Sequence, residues 1–137
     1  MLCDGAFNNK KINIMNKKEF RLGNYIFSKE TNSVQKITGI TEEHPFFDSI
    51  TFDYSNWDEI EGIKLTEDIL YKLGFVKDGI WFNFSFGFYG IGISNDPSGF
   101  NFSYDDGFIP IKFVHELQNL IFYLSNEELI LSDYAVS

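Results

Sequence analysis

Between residues 80 and 104 apolar and polar positions alternate with a period of two. Phe82, Phe84, Phe86 and Phe88 fall on one side of the run, Asn83, Ser85 and Gly87 on the other. After Asn95-Asp-Pro-Ser-Gly99 the alternation resumes, with Phe100, Phe102 and Tyr104 set against Asn101, Ser103 and Asp105. Such a pattern predicts an antiparallel meander or long hairpin with one aromatic and one polar face.

The period changes on either side of this region. Thr66-Glu-Asp-Ile-Leu-Tyr-Lys-Leu-Gly74 reads as a short helix. Thr66 can cap the free amides, Glu67 and Asp68 suit the positive end of the dipole, and Gly74 suits a left-handed stop. Ile69, Leu70 and Leu73 form the expected buried stripe, and Phe75 is placed to pack beyond the stop. After Pro110, Phe113, Leu117, Leu120, Ile121 and Leu124 recur at the spacing of one helical face, with Asn126 as the stop. Leu129-Ile-Leu131 is expected to add a closing edge strand.

Upstream, short strands and turns are expected from Phe20 to Leu65. Residues 24–27 and 34–40 are strands around the polar loop 28–33, and 50–52 and 60–63 are weaker ones. The expected class is α+β: a small curved SH3-like sheet, one short helix, an aromatic-rich antiparallel meander and a C-terminal amphipathic helix. Residues 17–137 are expected to form a single compact domain, with a β-rich part at 20–65 and an α-β-β-α part at 66–137. Residues 1–16 read as a tail or an added edge strand, and Met15 is a candidate alternative start.

Composition changes this picture in two ways. Phe is frequent (16 of 137 residues) while Ala occurs only twice. That bias tracks AT-rich codons, so aromatic richness alone does not argue for binding. Charge is unevenly divided. Residues 1–36 hold seven basic residues against three acidic, and residues 37–137 hold four against seventeen, within a net charge of −9. An acidic body argues against general or sequence-specific DNA binding. The single cysteine, Cys3, excludes an internal disulfide framework and fits a reducing compartment. No apolar run approaches the roughly 20 residues of a membrane span, and no export signal is visible, so a cytoplasmic protein is expected.

Candidate chemistry is sparse. His44 and His115 lack metal-ligand spacing with each other or with Cys3; His44 reads as a solvated loop residue and His115 as structural or exposed. Gly87-Phe-Tyr-Gly90-Ile-Gly92 lacks the helix a phosphate loop requires, and its glycines read as relief beside bulky aromatics. Asp53 to Asp58 begins like a calcium loop but carries Asp58 where the turn glycine belongs. The Asn83 and Asn101 glycosylation patterns lie within expected strands and are taken as chance matches. The aromatic strands lack the cations of a base-stacking platform, since no basic residue stands between Lys77 and Lys112. Neither an enzyme nor a cofactor is expected.

One segment remains. Asp48, Asp53, Asp58, Glu59 and Glu61 are interleaved with Phe52, Tyr54 and Trp57, and no cation intervenes. Such a surface suits docking on a basic cleft, with Trp57 as anchor, Tyr54 beside it, and Asp105 and Asp106 adding charge. The alternative is a solvated loop whose aromatics tuck into the core.

Three stretches resemble a family. Arg21-Leu-Gly-Asn-Tyr-Ile26, Ile63-Lys-Leu-Thr-Glu-Asp-Ile-Leu-Tyr-Lys-Leu-Gly-Phe75 and Val114-His-Glu-Leu-Gln-Asn-Leu-Ile-Phe-Tyr-Leu124 are similar, in that order, to motifs of a group of small uncharacterised phage and prophage proteins. The chain departs from that pattern at Ser125-Asn126, where the family usually has Thr-Gly. The resemblance implies a mobile-element context and carries no catalytic residues. In that context it points to a non-enzymatic inhibitor of host defence, anti-CRISPR-like, which binds a Cas effector nuclease or its guide-RNA complex, an RNA-targeting effector included. The alternatives are a nucleic-acid-binding accessory protein using the basic residues 10–36, and a structural or housekeeping phage protein.

Overall fold

The computed structural model describes residues 19–47, 56–86, 89–104 and 107–132. Among them are nine strands in two antiparallel sheets, together with two α-helices, so the fold is β-rich. The chain divides into two compact units, the first ending at Ile63 and the second running from Lys64 to Tyr134.

In the first unit, β1 (Tyr25–Ser28), β2 (Ser33–Ile40), β3 (Pro45–Phe47) and β4 (Ile60–Gly62) form a sheet in the order β3-β2-β1-β4. Strand β3 was not anticipated by periodicity, because three residues are too few to show any; the expected strand at 50–52 lies outside the described residues. The sheet begins at a side-chain turn. Asn24 is fully buried, and its Oδ1 accepts the Arg21 N–H at 2.7 Å. The Asn24 N–H donates to the Arg21 carbonyl, and the Ile37 N–H to the Asn24 carbonyl. Arg21-Leu-Gly-Asn24, one of the motif stretches, is thus the corner that aims β1 into the sheet. Phe20, Ile26, Ile37, Phe47, Trp57 and Ile60 form the core beneath it.

The second unit opens with α1 (Glu67–Lys72). Thr66 Oγ1 accepts the Ile69 N–H at 3.2 Å, as its capping role requires. At the other end Gly74, with φ +100°, donates to the Tyr71 carbonyl while Phe75 donates to that of Leu70. That pair of reversed bonds is a Schellman stop. Phe75, 3% exposed, then packs against Phe84 with ring centroids 5.1 Å apart.

Strands β5 (Val76–Asp78), β6 (Trp81–Phe86), β7 (Tyr89–Asp96), β8 (Gly99–Tyr104) and β9 (Gly107–Pro110) follow as a meander in which each strand pairs with its sequence neighbour. The register aligns Phe82, Ile93, Phe102 and Ile109 in one row across the sheet. The first three are buried, and Tyr71 of α1 meets Phe82 edge-on at 5.7 Å. The alternation read from the sequence is therefore the pleat of β6 and β8. The outer strands β5 and β9 are exposed at every position and show no alternation of burial.

Helix α2 (Val114–Ser125) ends at Asn126, whose left-handed φ of 62° makes the expected stop. Its buried face differs from the expected one. Val114, His115, Leu117, Gln118 and Ile121 are buried, whereas Leu124 is 45% exposed and Phe113 is the N-cap. A polar residue at an inward position defeats an apolar stripe: Gln118 Nε2 lies 3.5 Å from the Leu129 carbonyl. Nor do Leu129 to Leu131 form a strand. Leu129 and Leu131 are buried through their side chains, and Ser132 pins the segment to the end of α1 by donating its N–H and Oγ to the Lys72 carbonyl, at 3.1 and 2.9 Å.

Candidate functional site

The acidic segment is split by the structure. Its described part is a 3-10 turn at Trp57–Glu59 leading into β4. Trp57 is not a surface anchor. It is 9% exposed, stacks on Phe20, and donates its indole N–H to the Thr41 carbonyl at 3.2 Å. Burying an indole is favourable where its one donor finds an acceptor, and Thr41 supplies one. Of the two readings of this segment, the core reading holds for Trp57.

The carboxylates around it face outward. Asp58 and Glu61 are exposed and Glu59 is half-buried. Glu61 pairs with Phe27 of β1, and the Glu59 carbonyl accepts the Lys29 N–H at 2.8 Å. The backbone of this segment is thus held against β1, with Asp58 and Glu59 on the turn and Glu61 on the outer strand of the sheet. None of the three carboxylates makes an ion pair among the described residues. Asp48, Asp53, Tyr54, Asp105 and Asp106 lie outside the described residues, as does most of the calcium-like loop.

The histidines take structural positions. His44 is half-buried in a turn where Thr41 Oγ1 accepts its N–H, and its ring meets Phe46 edge-on at 5.1 Å. His115 is fully buried and stacked on Phe113, centroids 5.6 Å apart. Among the described residues no three His, Cys, Asp or Glu side chains come together as a metal site would require.

Gly92 shows what one glycine of the Gly90–Gly92 pair does. A Cβ there would sit 3.1 Å from both Asn83 Oδ1 and Trp81 Cε3, so the glycine admits the side chains of the neighbouring strand. At the β7–β8 turn, Asp96 accepts from the Ser98 N–H at 2.9 Å, from Ser98 Oγ, and from Asn101 Nδ2. The Ser98 side-chain bond, then its backbone bond, hold the Asp96 carboxyl below its ordinary value.

A feature the sequence reading missed lies in the second unit. A groove of about 520 Å³ is lined by Lys64, Leu65, Phe100, Ile111, Lys112 and Phe113 and by the adjoining turn at Ser98 and Gly99. The bridge between Lys64 and Phe113, and the Leu65 N–H to Lys112 carbonyl bond at 2.9 Å, bring its two distant segments together. The scarcity of cations beyond residue 37 is the sequence signal that could have pointed to these lysines.

No family model matches the chain, and neither a curated protein nor a solved structure does. Among the described residues no helix is long and apolar enough to cross a membrane.

Proposed function

We propose that this chain is a non-enzymatic binding protein that docks on a basic partner through the carboxylates of Asp58, Glu59 and Glu61. Those three side chains belong to the 3-10 turn and the outer strand it leads into, with no cation of the described residues pairing with them, and this observation carries the reading. An unneutralised acidic strip lowers the free energy of approach to a cationic cleft and speeds association. Trp57 takes no part as an anchor; its role is to hold the strip in place from behind.

The partner class comes by analogy, from the phage context of the motif resemblance together with the acidic body: a Cas effector nuclease or its guide-RNA complex, whose nucleic-acid channel is basic by necessity. The chain then acts in the cytoplasm of the bacterial host as a phage-encoded inhibitor. We also propose a finer description of the fold. The class is α+β, and the first unit is an SH3-like barrel fragment, with a meander of three strands and a 3-10 turn that returns β4 to β1. That topology supports the fold alone and not the activity.

The test is recovery of partners by the tagged chain from lysate of a CRISPR-bearing host, at low and moderate salt. Recovery of a Cas effector that weakens with salt and with Asp58→Lys/Glu61→Lys supports the proposal. Recovery of nucleic acid alone replaces it with an accessory nucleic-acid binder. Recovery of phage structural proteins, or of none of these, removes it.

A further inference from the structure

The groove of the second unit joins two properties that seldom coincide on an acidic protein. Its lining is largely apolar: Leu65 and Ile111 are buried, and Phe100 and Phe113 are half-exposed. Its polar side chains include two lysines. Four cations occur beyond residue 37, and the other two are engaged: Lys72 pairs with Asp68 at 3.3 Å and Lys77 with Glu67 at 3.4 Å. Lys64 and Lys112 are exposed and make no ion pair among the described residues.

Two carboxylates lie beside the groove and keep their charge. Glu116 Oε1 accepts the N–H groups of Lys112 and Phe113, at 2.7 and 3.1 Å, so it occupies the amides that open α2. Asp96 accepts from Ser98 and Asn101 behind the turn. Both carboxylates accept from neutral donors, so the ammonium donors of Lys64 and Lys112 are left for a ligand.

We propose that this groove binds a small organic anion, a carboxylate carried on an alkyl or aryl body. The volume lies within the range of about 300–1,000 Å³ usual for small-ligand sites. The apolar body fills the space between Phe100 and Phe113 and is removed from water there. The carboxylate remains at the lysines, where Lys64 and Lys112 supply charge-assisted donors. A cation of the same shape offers the lysine donors no acceptor, and a small anion without the body gains too little from burial. This site is separate from the acidic strip of the first unit and does not depend on the function proposed for it.

The test uses the full chain, followed by amide-resolved NMR, with three probes: octanoate, octylamine and acetate. Octanoate is expected to shift the amides of Leu65, Gly99, Phe100 and Ile111 in a saturable way, while the other two leave them in place. The Lys64→Gln/Lys112→Gln variant is expected to weaken octanoate at least tenfold. Its native spectrum verifies the fold, and each single variant serves the same comparison. The proposal is overturned if octanoate gives no saturable shift at these amides. It is equally overturned if octylamine reproduces the shifts or if the lysine variants leave the affinity unchanged.

Discussion

The indole of Trp57 lies over the ring of Phe20, their centroids 6.0 Å apart and their planes 19° from parallel. Phe20 precedes the first strand and Trp57 the last one of the same sheet, so the stack joins the two ends of the first unit's core. Trp57→Ala is expected to cost about 3–5 kcal/mol in the stability of that unit, as large-to-small changes of a buried aromatic do. Urea unfolding followed by circular dichroism measures it. A loss under about 1 kcal/mol would mean that Trp57 is not the core residue described here.

Asn24 makes a different kind of contribution. Its side chain satisfies the Arg21 N–H while fully buried, so Asn24→Ala leaves a donor without its acceptor. The expected cost is about 1–3 kcal/mol. Asn24→Asp, which keeps the acceptor, should restore part of it at neutral pH. Thermal unfolding of the three proteins side by side decides the point.

Replacing Gly92 by Ala is expected to destabilise the second sheet by about 1–3 kcal/mol, because the new methyl meets Asn83 and Trp81 at 3.1 Å. Pairing Gly92→Ala with Asn83→Gly relieves one of the two clashes and should recover part of the loss. Additive losses in that double variant would place the cause elsewhere.

Asp96 predicts the pH behaviour of the β7–β8 turn. Hydrogen bonds from Ser98 and Asn101 favour its ionised form, which lowers its folded-state pKa below the ordinary 3.8. Its contribution is therefore fully present above that ordinary value and is lost as pH falls through the lowered one. A carbon-detected NMR titration should find the Asp96 midpoint below 3.8, and Ser98→Ala should raise it. An unaltered midpoint in Ser98→Ala would show that the turn does not hold the carboxylate.

Charge reversal on the acidic strip should separate binding from folding. Asp58→Lys and Glu61→Lys alter exposed side chains without ion pairs, so stability is expected to stay within about 0.5 kcal/mol of the parent. Matching unfolding curves, measured beside the binding assay, would assign any lost binding to charge. A large drop in stability would instead give Glu61 a structural role in β4.

How much could be read beforehand follows from where each signal resides. Helix α1 was legible because Thr66, Gly74 and Phe75 are local signals, each acting within a few residues. Strands β6 and β8 were legible because aromatic and polar residues alternate along them, although Asn101 of the polar side is buried beside Phe102. The inward face of α2 was not, since Gln118 is buried through a partner eleven residues ahead, and no periodicity encodes that. Leu129 and Leu131 looked like strand because buried apolar residues recur at alternate positions there, yet Ser132 ties them to a helix end rather than to a sheet edge. Trp57 was ambiguous for the same reason. Acidic neighbours suggested a surface, and its burial depends on Phe20 and Thr41, which are distant in sequence.

The two sheets differ in how far along the chain their partners lie. Every ladder of the β5–β9 meander joins neighbouring strands, so each can form by closing one short loop. Ile26 must wait for Gly62 before β1 acquires its second neighbour. Closing that longer loop costs entropy before any pairing compensates it. During refolding the aromatic meander is therefore the part placed to assemble early. The sheet that presents the acidic strip completes only when its last strand returns, so the proposed docking surface is a late product of folding.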